Sequence, residues 1–324
     1  PNLAKVLDPV ALGPLLSEAL GQTIVNCRPN VLRYRPGTRA TIAISAQVRH
    51  GIGARRIRLI AKLYGQGHKA SAVFDESRKL FSVTLGDGLV LAEPLAYLPA
   101  LPMILQAPVT GVPLDQLVAS ALSARPDPRV NLGLHEAAKA MAALHRLPPV
   151  SSRQRRPEKE LVRFVERATR IALVDPAVGR RLLAVIALLA SQFGQLPSVS
   201  SGLVHGDCKP SQFLTRPTGV ALLDFDHCGI ADPAGDVGAF TAALRKAAVV
   251  SSQTGRSYQL EREFLETYLN HAANQEALAA RANWHQAASL VRKALRAFAR
   301  APRSPLAEAL AGEAERVLVS GPRG

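Results

Sequence analysis

The stretch from Val204 to Phe240 constrains the fold of this 324-residue chain more than any other part of the sequence. Its thirty-seven residues contain five carboxylates, although the whole chain carries a formal net charge of +15. A short apolar run that ends at Val204 leads into a loop interrupted by glycine and proline. Two further apolar segments flank a turn at Arg216–Gly219. This pattern predicts two short strands paired across the turn, with polar side chains at their ends.

Oxygen-bearing side chains gather where this hairpin brings its ends together. Asp207 and Gln212 precede the first predicted strand, and Asp224 and Asp226 follow the second. Carboxylate and amide oxygens suit a hard divalent cation that keeps part of its water shell and binds nucleotide phosphates. The hairpin would hold Asp207, Gln212 and Asp224 on one side, which predicts a site for such a cation.

The same residues resemble the catalytic segment of the aminoglycoside phosphotransferase-like branch of the protein-kinase-like superfamily. The family pattern is His-Gly-Asp, four residues, Asn, a strand that ends in Asp-x-Asp, and then Asp-Pro-x-x-Asp. The corresponding residues here are His205-Gly206-Asp207, Asp224-Phe225-Asp226, Asp232-Pro233 and Asp236. Gln212 stands where the family has Asn, which is a departure at a predicted metal ligand.

The resemblance implies an activity and a role for each residue. The implied activity is transfer of the γ-phosphate of ATP to a hydroxyl of a small molecule. Asp207 would accept or orient the hydroxyl proton, and Asp224 would hold a Mg²⁺ ion that bridges the nucleotide phosphates. Gln212 would hold a second ion through its amide oxygen, and Asp226 would either join the metal ligands or cap the following turn. His205 would brace the loop, and Asp236 would cap the following helix and anchor the loop.

Two other classes of function stay open at this stage. A nucleotide-binding pseudokinase with a regulatory or interaction role is one, because Gln212 carries an extra methylene at a ligand position. A basic interaction protein or nucleic-acid binder is the other, given clusters such as Arg55-Arg56. A nucleic-acid partner is not expected, since the few aromatic residues, 5% of the chain, are not interleaved with those clusters.

Hydrophobic periodicity predicts an α+β chain, and the resemblance implies that it has a bilobal protein-kinase-like fold. A leading helix is predicted over Leu3–Leu20 and one further helix over Lys69–Val83. Around the second helix, strands are predicted over Val31–Tyr34, Ala40–Val48, Ile57–Tyr64, Leu89–Tyr97 and Leu101–Ala107. We expect an N-terminal nucleotide-binding lobe over residues 1–107, built on an antiparallel sheet. A mainly helical lobe over 108–324 would carry the catalytic loop and the acceptor site.

Lys62 and Glu76 are predicted to face each other in the first lobe. Alternation along its strand puts Lys62 on the face opposite Ala61. Glu76 falls on the apolar stripe of the following helix, where a carboxylate needs a cationic partner. The resemblance implies the same pair, in which the lysine grips the α- and β-phosphates and the glutamate holds the lysine.

Two other segments of the first lobe are candidate nucleotide contacts. The turn that contains Arg35, Gly37 and Thr38 would cover the phosphates with backbone N–H groups, although it lacks a Gly-x-Gly-x-x-Gly motif. The segment around Ala107 and Val109 resembles the family hinge, whose backbone would bind adenine. Ordinary hairpin and strand-to-helix turns explain both segments equally well from sequence alone.

Composition sets the expected surroundings and partners. The longest apolar run, Leu182–Ala190, is too short to span a membrane and reads as a buried helix. Three cysteines without metal-ligand spacing favour a cytoplasmic protein. After Phe240, Lys and Arg outnumber Asp and Glu, so a neutral or anionic hydroxyl compound fits the acceptor site better than a polycationic aminoglycoside. The sequence carries no signal for an oligomeric state.

Overall fold

The computed structural model describes residues 2–84, 89–123, 127–154 and 157–320. By its internal contacts the chain divides into two compact units, Pro1–Gly86 with Val90–Thr110 and Asp87–Leu89 with Gly111–Gly324. The first unit is built on a sheet and the second is mainly helical, which confirms the predicted α+β class.

The first unit is a five-stranded antiparallel sheet with helices on both faces. Its strands lie in the order β1-β2-β3-β6-β5. The helices and strands of this part of the chain are α1 Asn2–Leu7, α2 Pro9–Leu20, β1 Ile24–Arg35, β2 Arg39–His50, β3 Gly53–Tyr64, α3 Gly67–Thr84, β4 Val90–Leu91, β5 Pro94–Leu98 and β6 Met103–Gln106.

Each face of the sheet buries its own apolar cluster. Leu59, Ala61 and Leu63 of β3 pack with α1 and α2, where Val6 and Leu12 are fully buried. On the opposite face, Tyr64 and Ile104 pack with Ala70 and Val73 of α3. Since successive strand residues point to opposite faces, Lys62 shares the α3 face with Tyr64.

The predicted leading helix over Leu3–Leu20 was wrong in one respect, because the structure has two helices there. Pro9 cannot continue a helix, and it occupies the first turn of α2 instead. The Asp8 carboxylate caps α2 by accepting a hydrogen bond from the Val10 N–H at 2.9 Å. The pair Asp8-Pro9 was therefore a readable helix start.

Two predicted strands also differ from the structure. The first is much longer than Val31–Tyr34, because β1 begins at Ile24 and continues through Pro29. A proline is tolerated there since β1 is an edge strand, so its missing N–H faces no neighbour. The predicted strand Leu89–Tyr97 is divided into β4 and β5.

The second unit has eight helices and five short strands among its described residues. Strands β10, β9 and β7 lie side by side in that order, and β8 pairs with β11, all antiparallel. Their bounds are β7 Val112–Pro113, α4 Leu114–Ala121, α5 Arg129–Arg146, α6 Pro157–Ala172, α7 Pro176–Phe193, β8 Gly202–Val204, β9 Phe213–Thr215, β10 Val220–Leu222, β11 Gly229–Ala231, α8 Ala234–Ser251, α9 Thr254–Asn270, α10 Gln275–Arg300 and α11 Leu306–Ser320.

Helices α6, α7, α8, α10 and α11 share one apolar core. Phe164, Trp284 and Leu310 lie in it, and the indole N–H of Trp284 donates to the Leu189 carbonyl at 2.9 Å. Among the described residues, α7 is the one helix that length and composition would allow to cross a membrane. Its side chains Leu182, Val185, Ile186 and Leu189 are buried in this core, as predicted for the longest apolar run.

Candidate active site

The catalytic loop lies between β8 and β9. It contains a single 3-10 turn, Pro210–Gln212, just before β9 begins at Phe213. In the β9–β10 hairpin Leu222 pairs with Phe213, and the Leu223 N–H donates to the Gln212 carbonyl at 2.8 Å. Gln212 and Asp224 therefore meet at the open end of the hairpin, where the two strands were predicted to bring them.

The loop is fixed to α8 through the buried carboxylate of Asp236. This carboxylate accepts hydrogen bonds from the backbone N–H groups of His205 at 2.6 Å and Gly206 at 2.8 Å. His145 and Tyr268 continue the network, since the His145 ring contacts Asp236 at 3.2 Å and the Tyr268 hydroxyl at 2.8 Å. The anchoring role implied for Asp236 is present, but the cap position of α8 is occupied by Pro233.

Opposing influences act on the ionisation of Asp236. Burial raises its pKa, but the hydrogen bond and charge of His145, the charge of His205 and the Gly206 N–H outweigh burial and lower the pKa below the usual value. The carboxylate is therefore ionised at neutral pH, when it can accept from both loop N–H groups. The ring of His205 contacts the Leu223 carbonyl at 2.7 Å, so it braces the loop against the hairpin.

Asp207 is the accessible carboxylate of the loop, with 39% of its side chain exposed. It forms an ion pair with Lys209, and the Gln212 amide nitrogen lies 3.5 Å from its Oδ2. Burial raises the pKa of Asp207, but the hydrogen bond and charge of Lys209 outweigh burial. The pKa of Asp207 is therefore lower than its usual value. Asp207 is consequently an ionised hydrogen-bond acceptor at neutral pH.

Asp224 has an uncommon backbone conformation directly after β10. Its φ of 67° lies in the left-handed region, which costs a non-glycine residue roughly 1–2 kcal/mol. Such strain collects where a side chain is held for function. Asp226 differs, since it is 2% exposed and its backbone carbonyl accepts a hydrogen bond from Arg153 at 2.9 Å. Of the two carboxylates, Asp224 is the one that an ion could reach.

The donor set suits magnesium, although few side chains contribute to it. Among the described residues, no group of three or more His, Cys, Asp or Glu side chains is placed to hold a metal ion. Magnesium does not need one, because it commonly takes one or two protein oxygens and completes its shell with phosphates and water. Asp224 with the amide oxygen of Gln212 meets that requirement.

In the first unit, Lys62 and Glu76 both lie in the layer between the sheet and α3. Lys62 is only 8% exposed on β3. Glu76 follows Val73 and precedes Leu80, which are both buried, on the inner face of α3. A buried lysine and a half-buried glutamate in one apolar layer are the expected arrangement for an ion pair. Their pairing and their contact with a nucleotide stay predictions.

The turn that contains Arg35, Gly37 and Thr38 is a hairpin held against the end of β3. Gly37 has a φ of 67°, and the Thr38 N–H donates to the Arg35 carbonyl at 3.1 Å. The Gly65 N–H donates to the Thr38 carbonyl at 3.0 Å, and a Cβ on Gly65 would lie only 2.7 Å from the Gly37 carbonyl oxygen. Gly65 thus allows the turn to approach β3 three residues after Lys62.

The predicted hinge residues follow β6. The Ala107 N–H donates to the Glu93 carbonyl at 2.9 Å, so within the hinge Ala107 offers its own carbonyl rather than a donor. A donor for adenine would then come from Val109, two residues later, because Pro108 has no N–H. The hinge assignment itself stays a prediction.

A basic cluster on α8 and α10 was missed from the sequence. We call Lys246, Lys293 and Arg296 the acceptor-side cluster. Burial and the charges of Arg292, Lys246, Lys209 and Arg296 lower the pKa of Lys293 to about 7. The available signal was that Lys293 follows Leu290 and precedes Ala294 on an otherwise apolar stripe, an argument of the kind that identified Glu76.

The fold and the loop together define a kinase-like phosphotransferase. Residues 43–290 match the sequence model of the phosphotransferase enzyme family, known as APH, and the chain belongs to that family. It is accordingly an enzyme that transfers a phosphoryl group from a nucleotide to a hydroxyl of a small molecule, as the resemblance implied. No curated protein sequence matches the chain significantly.

Solved structures share the fold at low sequence identity. A thermostable mutant of aminoglycoside phosphotransferase APH(4)-Ia superposes with a TM-score of 0.61 at 13% identity, covering 95% of this chain and 98% of that one. Choline kinase LicA from Streptococcus pneumoniae gives 0.53 at 13% identity, covering 85% and 89%. The ternary complex of APH(2")-IIa with streptomycin and ATP gives 0.54 at 10%, covering 93% and 94%. These similarities confirm the kinase-like fold.

Proposed function

We propose that the chain transfers the γ-phosphate of Mg·ATP to a small-molecule hydroxyl that is held and oriented by Asp207. The observation that carries the proposal is the state of Asp207 within the anchored loop. Its carboxylate is accessible and ionised, while the backbone on its N-terminal side is fixed by the two hydrogen bonds to Asp236. A substrate hydroxyl that donates to Asp207 would therefore meet a rigidly placed acceptor.

The lowered pKa of Asp207 defines the kind of help it gives. A strong general base has a pKa near the working pH, and Asp207 is a weaker base than that. Phosphoryl transfer passes through a loose transition state, so little proton abstraction is needed before the phosphoryl group moves. Asp207 would chiefly orient the hydroxyl and take its proton late. Lys209, paired with Asp207, would stabilise negative charge on the transferring group.

Magnesium, when bound, neutralises charge on the nucleotide phosphates. Asp224 would supply a carboxylate ligand and Gln212 an amide oxygen. Gln212 presents its amide nitrogen towards Asp207, and half a turn of the amide would present the oxygen instead. Gln212 is 7% exposed, so its longer side chain is held by packing rather than free in solvent. Asp226, which is more deeply buried, would support the loop.

The nucleotide contacts of the first unit complete the proposal. Lys62 would bind the α- and β-phosphates, with Glu76 holding the lysine in place. Arg35, Gly37 and Thr38 would line the phosphates, and the Ala107 carbonyl with the Val109 N–H would bind adenine. ATP is the proposed donor, and the solved complex of APH(2")-IIa contains ATP. We propose lobes of 1–107 and 108–324 and a cytoplasmic location for this reaction.

The test of this function is Asp207→Asn. The variant keeps the shape and most hydrogen bonds, but it removes the charge and the proton acceptor. We expect turnover to fall at least ~100-fold with the melting temperature little changed. The measurement is ATP consumption across hydroxyl-bearing metabolites, with Asp115→Asn on the exposed start of α4 as the matched control. Equal turnover in wild type and Asp207→Asn would refute the role of Asp207.

The pseudokinase alternative makes an opposite prediction in the same assay. Such a protein would bind Mg·ATP, seen as a metal-dependent rise in melting temperature, without consuming it on any acceptor. Lys62→Ala should weaken the nucleotide-dependent rise under either hypothesis. Equal calorimetric affinity for ATP in wild type and Lys62→Ala would contradict the proposed nucleotide site.

A further inference from the structure

We infer that the acceptor-side cluster, Lys246, Lys293 and Arg296, binds a phosphate or carboxylate group of the substrate whose hydroxyl is phosphorylated. The inference rests on the proposed function for the place of the hydroxyl, beside Asp207. It adds the chemical class of the substrate, an anionic small molecule.

Helices α8 and α10 lie side by side and run in the same direction. Asp232, just before α8, contacts Arg281 at 2.6 Å and His285 at 2.8 Å. Further along α8, a Cβ on Gly238 would lie 2.5 Å from the Gln286 backbone nitrogen, so the two backbones are almost in contact. The contacts thus advance together along both helices.

This packing brings the basic side chains together. Lys246 follows Gly238, and Lys293 follows Gln286, by about two helical turns in each case. Arg296 is three residues beyond Lys293, which places it on the same side of α10. The charges of Lys246 and Arg296 also oppose the protonation of Lys293, in agreement with this placement.

The cluster lies within electrostatic range of the catalytic loop. The charge of Lys209, in the loop, also acts on Lys293, and the charge of Asp207 acts on Arg296. These electrostatic contacts connect α10 with both partners of the Asp207–Lys209 ion pair. An anion held by the cluster would therefore lie near the carboxylate that orients the acceptor hydroxyl.

Within the described part of the chain, the cluster differs from other cations nearby, which are paired with carboxylates. Arg292 forms a bidentate pair with Glu160 at 2.6 and 2.7 Å, and Lys209 pairs with Asp207. Among the described residues, no carboxylate oxygen lies within salt-bridge distance of Lys246, Lys293 or Arg296. Three neighbouring cations without a salt-bridged carboxylate form a site for an external anion, since Arg and Lys both bind phosphate and carboxylate groups.

Repulsion among these cations destabilises the folded protein, and a bound anion would reduce that repulsion. Holding a lysine beside two other cations and partly away from water disfavours its charged form, which the lowered pKa of Lys293 expresses. A structural lysine would be paired or directed to solvent. An anion that binds here favours the charged form of Lys293 and reduces the repulsion among the three cations. Its binding therefore stabilises the folded protein.

The first experiment measures anion binding without turnover. The melting temperature of the full chain is measured with inorganic phosphate, against sodium chloride at equal ionic strength. Lys293→Met and Lys293→Arg are compared with Arg256→Met, which removes an equal charge from an exposed position on α9. We expect phosphate to stabilise wild type, Lys293→Arg and Arg256→Met and to lose this effect in Lys293→Met. Equal phosphate stabilisation in Lys293→Met and wild type would overturn the inference.

The second experiment measures selectivity with four probes that share a diol or related alcohol. They are glycerol, glycerate, glycerol 3-phosphate and 3-amino-1,2-propanediol, which are neutral, carboxylate, phosphate and ammonium compounds. We expect an anionic probe to exceed glycerol in kcat/KM by about tenfold or more, the value of one good charge-assisted hydrogen bond. Its KM should rise in Lys293→Met and stay near the wild-type value in Lys293→Arg, which keeps the charge. The better of the two anions identifies phosphate or carboxylate as the recognised group.

Equal or better use of the ammonium probe would overturn the inference. If none of the four probes is phosphorylated, the phosphate binding measurement decides, because it needs neither nucleotide nor turnover. A failure of the proposed function would appear as absence of Mg·ATP binding and transfer with phosphate binding intact. The two failures are therefore distinguishable.

Discussion

The anchored catalytic loop and the acceptor-side cluster treat buried charge in opposite ways. In the loop, Asp236 is surrounded by two backbone donors and His145, and Asp207 is matched by Lys209. In the cluster, the charges of Lys246 and Arg296 oppose protonation of Lys293, and Asp207 is the opposite charge that acts on Arg296. The internal hydrogen bonds hold the loop in one conformation, whereas the cluster is proposed to bind an anionic group of the substrate. Compensated charge positions catalytic groups, and uncompensated charge indicates where a ligand binds.

The largest expected effect comes from removing Asp236, the residue that anchors the catalytic loop. Asp236→Ala would leave the N–H groups of His205 and Gly206 without their acceptor inside the protein. We expect the free energy of unfolding to fall by about 2–5 kcal/mol and turnover to fall at least ~100-fold, because Asp207 loses its fixed position. Chemical denaturation and ATP consumption measure the two effects.

A matched control for that variant is Asp175→Ala. Asp175 also accepts from two backbone N–H groups, those of Ala177 and Val178, but it caps α7 far along the chain from the loop. The expected cost is about 1 kcal/mol, with turnover unchanged. If Asp236→Ala behaved like Asp175→Ala, the loop would hold its shape without the anchor.

The next effect concerns the open end of the hairpin, where Gln212 meets Asp224. We expect Gln212→Ala to lower turnover about tenfold and to raise the Mg²⁺ concentration needed for half-maximal rate, because one oxygen ligand is lost. Gln212→Asn should be tolerated, since the amide oxygen is kept. Rates titrated with Mg²⁺ at saturating ATP measure this. An unchanged Mg²⁺ requirement in Gln212→Ala would show that the side chain is not a ligand.

The smallest expected effect is the pH dependence of stability that Lys293 causes in the acceptor-side cluster. The pKa of Lys293 is lowered to about 7 in the folded chain from an ordinary 10.5, so the unfolded chain binds more protons between these values. The cost of charging Lys293 is present in full below pH 7 and disappears as pH rises towards 10.5. Lys293→Met should therefore raise the melting temperature at pH 6 and have less effect at pH 9.

The residues whose charges lower this pKa are Arg292, Lys246, Lys209 and Arg296, and Glu160 balances Arg292. Arg256→Met, on the exposed side of α9, should leave the melting temperature nearly constant at both pH values. If Lys293→Met lowered stability at pH 6, Lys293 would be a structural residue. A substitution that stabilises the fold and weakens substrate binding is the opposite of what a packing residue gives.

The hairpin part of the site was predictable because it is local. Gln212 and Asp224 are twelve residues apart, and a turn with two apolar segments is enough to bring them together. The break between α1 and α2 was also local, and the Asp8-Pro9 pair signalled it. The length of β1 was not readable, because Pro29 is tolerated only on an edge strand and edge position is a property of the whole sheet.

The acceptor-side cluster could not be predicted in the same way. Lys246 belongs to α8, whereas Lys293 and Arg296 belong to α10, and their proximity depends on how α10 is rotated against α8. Periodicity shows that Lys293 lies on an apolar face, but it does not show which charges that face meets. The excess of Lys and Arg after Phe240 suggested a neutral or anionic substrate without naming a residue.

Helix α8 joins the two regions mechanically. It carries Asp236 at its start and Lys246 towards its end, and Gly238 touches the backbone of α10 between them. A side chain at Gly238 would push α8 away from α10 and tilt it, because the two backbones are almost in contact there. The angle between α8 and α10 therefore affects both the support that Asp236 gives the catalytic loop and the distance from that loop to the acceptor-side cluster. Substitutions at this helix contact would change the length of substrate that fits, with every polar residue of the site unchanged.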